Sequence, residues 1–120
     1  MTDISMGAVE TRFADLIWQN EPITAAELAR RAEGLLAWKK TTAYTVLKRL
    51  CDKGLFQNEN GTVTSRLSRA DYDAAQSEKF IEEQFEGSLP AFLAAFTTRK
   101  TLSAEELTAL RRMIDNYKED

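Results

Sequence analysis

The chain has 120 residues, a net charge of −3, one cysteine and no histidine. A Ser-His or Cys-His nucleophile is therefore impossible, and a metal site would need carboxylates alone. We expect no enzyme, no metal and no cofactor. The single Cys51 cannot form an intramolecular disulfide and fits a reducing cytoplasm, and no apolar run reaches the roughly 18 residues of a membrane span.

Two helices with apolar residues at a 3.6-residue period are predicted at the start of the chain. The first covers residues 8–20 and ends before Pro22, because the residue before a proline is pushed out of the helical region. The second covers residues 25–32. Thr24 starts it as an N-cap with a glutamate three residues later, and Gly34 is expected to stop it.

A third helix is predicted over residues 41–53, with Gly54 closing it. Its apolar residues share one face, so the opposite face must be exposed. Residues 30–53 carry seven cations and two anions, whereas residues 76–120 carry six cations and nine anions. A solvated helix face would also fit these charges, but hydroxyls and cations on one face suit contact with bases and phosphates. The candidate DNA-contacting residues are Lys39, Lys40, Thr41, Thr42, Tyr44, Thr45, Lys48 and Arg49.

A β-hairpin is predicted after the third helix, with strands over residues 55–59 and 62–67. Asn60-Gly61 lies between them, and this dipeptide favours the type I′ turn that joins two antiparallel strands. Because an isolated ribbon is marginally stable, it should pack on the helices through Leu55, Val63 or Leu67.

Three further helices are expected: one over residues 69–86, a short one capped by Ser88, and a last one opened by Ser103. Helices of this size cannot enclose so much apolar surface by themselves. We expect them to form a homodimer interface, although they could instead fold back on the first helix as one larger core. The candidate dimerisation residues are Phe80, Phe85, Leu89, Phe92, Leu93, Phe96, Leu107, Leu110 and Ile114.

The order of these elements predicts a mainly α fold: a winged helix-turn-helix, with three helices and a β-hairpin wing, followed by a three-helix dimerisation region. The expected domains are residues 1–68 for DNA binding and 69–120 for dimerisation. Because winged helices also serve as protein-interaction modules, an interaction module or anti-repressor that does not bind DNA is the alternative. Trp18 and Trp38 are expected to pack in the core, and Cys51 is expected to be structural, with redox sensing as the alternative.

Several segments resemble the penicillinase repressor family (the BlaI/MecI type, with the copper-responsive CopY branch). The first helix contributes Gly7–Glu10 and Phe13–Trp18. The third helix and its flanks contribute Trp38, Thr41-Thr42, Thr45–Leu47, Arg49-Leu50 and Lys53–Leu55. The C-terminal helices contribute Phe80-Ile81, Phe85, Gly87–Leu89, Phe96 and Leu102–Leu107.

The resemblance implies a cytoplasmic, dimeric repressor that binds a pseudo-palindromic operator with its third helix in the major groove. In the resistance branch of the family, proteolysis in the C-terminal domain relieves repression, and the matching position here is near Ala95-Phe96. That branch has Asn where this chain has Ala95, which argues against the same protease. The copper branch has a Cys-rich tail that this chain lacks, and Thr62–Arg66 replaces the usual basic and aromatic strand of the wing.

Overall fold

The computed structural model describes residues 3–118, which form six helices and one small antiparallel sheet. In chain order the elements are α1 (Ala8–Asn20), β1 (Ile23–Thr24), α2 (Ala25–Leu36), α3 (Lys40–Asp52), β2 (Phe56–Glu59), β3 (Thr62–Ser65), α4 (Arg69–Phe85), α5 (Leu89–Thr97) and α6 (Ala104–Asn116). The predicted mainly helical winged-helix fold, with a helical region after it, is confirmed. No helix within the described residues is long and apolar enough to cross a membrane.

The chain divides into two compact units, one that ends at Gln76 and one that begins at Ser77. The division lies within α4, about two helical turns beyond the predicted boundary between residues 68 and 69. The start of α4 packs with the first unit: Tyr72 is 5% exposed, and its hydroxyl oxygen accepts a hydrogen bond from the Met6 N–H at 3.1 Å. The indole N–H of Trp18 donates to the Leu67 carbonyl at 2.9 Å, just before α4 begins.

The core of the first unit is built from one apolar face of each of the first three helices, from the sheet and from the start of α4. Small residues line the inner face of α2, which allows its neighbours to approach closely. Trp18 and Trp38 pack against this core, as predicted. The buried residues are Phe13, Ala14, Ile17, Ile23, Ala25, Leu28, Ala29, Ala32, Ala43, Val46, Leu47, Leu50, Leu55, Phe56, Val63 and Tyr72.

Helix α2 is longer than predicted, because it continues through Gly34 to Leu36. Gly34 is exposed, and a glycine in a helix interior costs only about 1 kcal/mol, which the packed inner face of α2 offsets. The helix ends instead at Ala37, which adopts the left-handed conformation with φ of 57° and donates its N–H to the Ala32 carbonyl. The stop signal is therefore a left-handed alanine and not the glycine.

The hairpin forms at Asn60-Gly61, where both residues have positive φ (54° and 89°), as the predicted type I′ turn requires. The strands are shorter than predicted and pair antiparallel, with Asn58 opposite Val63. The sequence did not indicate β1, whose Ile23 also pairs with Val63 on the other edge of β3. Pairing with β1, together with the fully buried side chains of Leu55 and Val63, attaches the wing to the helices.

Candidate nucleic-acid interface

Helix α3 has one buried and one exposed face, and this division creates the candidate interface. Its apolar residues Ala43, Val46, Leu47 and Leu50 are between 0 and 6% exposed. At 100° per residue, the remaining positions turn outward. The helix begins at Lys40, one residue earlier than predicted, with Lys39 as its N-cap. A rigid apolar base thus supports a polar outer surface.

The turn between α2 and α3 sets where the exposed face begins. Ala37 reverses the chain in the left-handed region, and the Trp38 N–H donates to the Ala32 carbonyl at 3.4 Å. The Trp38 indole then packs on the Phe13 ring of α1, with ring centroids 5.0 Å apart. The N-terminus of α3 is therefore fixed to the first helix through an aromatic contact and to the second through a backbone bond.

The predicted DNA-contacting residues all lie on this exposed surface. Tyr44 is 44% exposed. Thr45 is exposed as well, and its hydroxyl donates to the Thr41 carbonyl at 2.8 Å. The surface thus combines cations, hydroxyls, methyl groups and one phenol. The exposed residues are Lys39, Lys40, Thr41, Thr42, Tyr44, Thr45, Lys48 and Arg49.

The cations of this surface differ in their electrostatic partners. Lys48 pairs with Asp52 at 3.1 Å within α3, and the Arg49 Nη1 pairs with Glu10 Oε2 of α1 at 3.2 Å. Across residues 3–118, no carboxylate forms an ion pair with Lys39 or Lys40. Positive charge is therefore free at the N-terminal end of α3 and offset at its C-terminal end.

Glu10 belongs to this surface, although the residue pattern did not place it there. It lies 39 positions before Arg49 in the chain, so no helical spacing connects the two residues. The tertiary fold brings these two side chains of α1 and α3 within hydrogen-bond distance, and the sequence alone gives no sign of that contact.

The wing has little positive charge. Residues 56–65 contain Glu59 and no lysine or arginine, and Arg66 is exposed just beyond β3. The Gly61 carbonyl accepts from the Ala25 N–H at 2.8 Å, which ties the hairpin turn to the start of α2. The Gln57 side-chain amide donates to the Thr64 hydroxyl at 3.0 Å. The wing is thus braced on the helices, and between residues 56 and 65 it presents polar groups and one carboxylate, Glu59.

Comparison with known proteins identifies the family. The penicillinase repressor model matches residues 6–116. The chain belongs to the penicillinase repressor family. It is also similar to the penicillinase repressor of Bacillus licheniformis, with 26% identity over 113 residues, which cover 91% of this chain and 88% of that protein. The family is one of transcriptional repressors and not a class of enzymes, so this chain is a transcriptional regulator of the repressor type.

The second unit of this penicillinase repressor family member carries exposed apolar surface. Between residues 77 and 118, the described part of this unit, no side chain is buried. Phe80, Phe85, Phe92 and Phe96 form a chain of ring contacts with centroids 5.6–6.0 Å apart. Of the predicted dimerisation residues, Phe85, Phe92, Leu93 and Leu110 are half-buried. The others are exposed, namely Phe80, Leu89, Phe96, Leu107 and Ile114.

Cys51 lies in the last turn of α3 and is half-buried against the core of the repressor. Burial raises the pKa of its thiol, and the nearby Asp52 carboxylate raises it further. The thiol therefore stays protonated near neutral pH, and a protonated thiol is a weak nucleophile. These surroundings are those of a structural cysteine, which is the role that the sequence favours.

Proposed function

We propose that this chain is a homodimeric transcriptional repressor that places α3 in the major groove of a pseudo-palindromic operator. The observation that carries the proposal is the exposed face of α3, where hydroxyls and cations lie opposite a buried apolar face. A helix supported in this way can enter a major groove without losing its shape. Membership in the penicillinase repressor family supports the repressor function.

The side chains of the surface divide into two roles by chemistry. Thr41, Tyr44 and Thr45 offer hydroxyls and methyl groups, which suit base edges and the thymine methyl group. The cations suit phosphates, which set the position of the helix and carry no sequence information. Those cations are Lys39, Lys40, Lys48 and Arg49.

The exposed apolar surface of the second unit supports dimerisation. Met113 and Ile114 are 68% and 69% exposed, and apolar patches of this kind usually mark an interaction surface. A pseudo-palindromic operator is bound by two copies of the chain. In a two-fold dimer, the two recognition helices are separated by about one turn of DNA or a multiple of one turn.

Cleavage near Ala95-Phe96 would relieve repression by removing part of this interface. The position lies within α5, and Phe96 is 43% exposed. Cleavage there would detach α6, which carries Leu107, Leu110 and Ile114. Since Ala95 replaces the asparagine of the resistance branch, we expect a protease with a different preference at this position.

A salt titration of DNA binding tests the proposal. Fluorescence anisotropy with labelled fragments of the chain's own promoter region, measured at several salt concentrations, gives the affinity and its salt dependence. Four cations in each of two protomers allow up to eight phosphate contacts, so the slope of log affinity against log salt should approach about −7. Binding without salt dependence, or no binding at low salt, would contradict the proposal.

The alternative is a winged-helix interaction module or anti-repressor, and two observations favour it. Lys48 and Arg49 already pair with carboxylates, and the wing between residues 56 and 65 has no lysine or arginine. Such a module would bind a protein with little dependence on salt and would not shift the promoter fragments. The same titration therefore separates the two functions.

A further inference from the structure

The carboxylate of Glu10 is held by two elements at once. Its Oε2 accepts from Arg49 Nη1 at 3.2 Å, and its Oε1 accepts from the Gly7 N–H at 3.4 Å. The Glu10 side chain is 22% exposed, whereas the Arg49 side chain is 52% exposed. The carboxylate is therefore fixed on the protein side, and the other guanidinium donors of Arg49 remain at the surface.

The second ion pair of α3 is built differently. Lys48 and Asp52 are 78% and 66% exposed and lie one turn apart on the same helix. Such an exposed pair within one helix is weak and exchanges readily with solvent. The Arg49–Glu10 pair instead joins two helices and restricts the directions in which Arg49 can reach.

We propose, resting on the DNA-binding function above, that Glu10 is a specificity-determining residue of the repressor. Glu10 binds one edge of the Arg49 guanidinium. The other edge can then contact a phosphate only when α3 lies fully within the major groove of its operator. On non-operator DNA, where binding is electrostatic and loosely docked, the Glu10 carboxylate offsets the charge of Arg49. Specificity rises because the wrong partner is weakened.

The test compares Glu10→Gln with wild type on mixed-sequence duplex DNA and on a promoter fragment that the wild type binds. Glutamine keeps an oxygen acceptor for the Gly7 N–H but removes the negative charge. A surface ion pair corresponds to a factor of about two to five, and a dimer carries two such pairs. We therefore expect affinity for mixed-sequence DNA to rise about 4-fold to 25-fold. The salt slope should steepen by about 0.9 for each newly contacted phosphate, while promoter affinity stays within about twofold of wild type.

Two controls isolate the ion pair. Glu33→Gln makes the same change in net charge at an exposed position on α2 and should leave mixed-sequence binding unchanged. Glu10→Gln in an Arg49→Gln background should give no gain over Arg49→Gln alone. Circular dichroism melting of each variant checks that the fold is intact.

The outcomes separate this inference from the proposed function. Three results would overturn the role of Glu10. They are an equal rise in affinity from Glu33→Gln, a rise that persists in the Arg49→Gln background, and a rise of the same size on both DNAs. Wild-type affinities for Glu10→Gln in a protein whose binding still depends on salt would overturn it as well, and in that case the DNA-binding proposal would stand. If the wild type bound neither mixed-sequence DNA nor any fragment of its promoter region, both proposals would fall together.

Discussion

Replacing Ile114 by alanine tests whether the second unit is a dimer interface. Ile114 is 69% exposed in the single chain. Full burial of an isoleucine contributes about 1.5–3 kcal/mol, so burying this exposed part would contribute about 1–2 kcal/mol per protomer. A two-fold interface counts each contact twice, which gives about 2–4 kcal/mol. Ile114→Ala should therefore weaken the dimer about 30-fold to 700-fold.

Sedimentation equilibrium over a range of protein concentrations measures this change. Arg112→Ala is the matched control, because Arg112 is exposed and lies on the side of α6 away from the stripe formed by Leu107, Leu110 and Ile114. Neither change should alter helix content in dilute solution, since no residue of the fully described α6 is buried. A wild-type dissociation constant for Ile114→Ala, or a wild-type protein that stays monomeric at all concentrations, would refute the reasoning.

Three further predictions concern the proposed recognition helix α3, the turn that precedes it, and stability in acid. Lys48→Ala should weaken binding to all sequences by a similar factor, whereas Thr45→Ala should relax preference at one base position. Titration against operator variants that differ at single base pairs measures both effects. If both changes had equal effects on every sequence, the assignment of Lys48 to phosphate and Thr45 to a base would be contradicted. Trp38→Ala should lower the free energy of unfolding in urea by about 2–3 kcal/mol, because the indole packs on the core, and an unchanged midpoint would contradict this. The Arg30 guanidinium, and Arg31 beside it, lower the pKa of Glu27 to about 2 from 4.5, so the contribution of Glu27 to stability is present above pH 4.5 and is lost as pH falls toward 2. Glu27→Gln should flatten the pH dependence of thermal melts in that range, and a dependence identical to wild type would contradict the assignment.

Local patterns predicted most of the helices and the hairpin, because the signals that set them are short-range. Asn60-Gly61 determined the turn through its backbone preference alone, and the period of apolar residues placed the buried face of α3. The end of α2 was predicted wrongly, because Gly34 is a local signal and the true end at Ala37 depends on Trp38 packing against another helix. The two-residue strand β1 escaped prediction for the same reason, since it exists only through pairing with β3.

The candidate interface could be predicted from the sequence to the extent that it lies on one helix. The exposed residues between Lys40 and Arg49 share the outer side of α3, opposite its buried residues, so the spacing of residues specifies which side chains lie there. The electrostatic state of that face was not accessible, because Glu10 reaches Arg49 from α1. The sequence shows which cations α3 carries, and the tertiary structure shows which of them are free.

Chemical-shift mapping of the full chain with an operator duplex tests most directly whether the outward face of α3 contacts DNA. Backbone amide resonances are compared before and after addition of a promoter fragment that the protein binds. The largest changes should fall between Lys39 and Arg49, with small changes along the wing strands at residues 56–65. If the α3 amide resonances stay unchanged while those of another surface shift, α3 is not the recognition helix and DNA binds elsewhere on the protein.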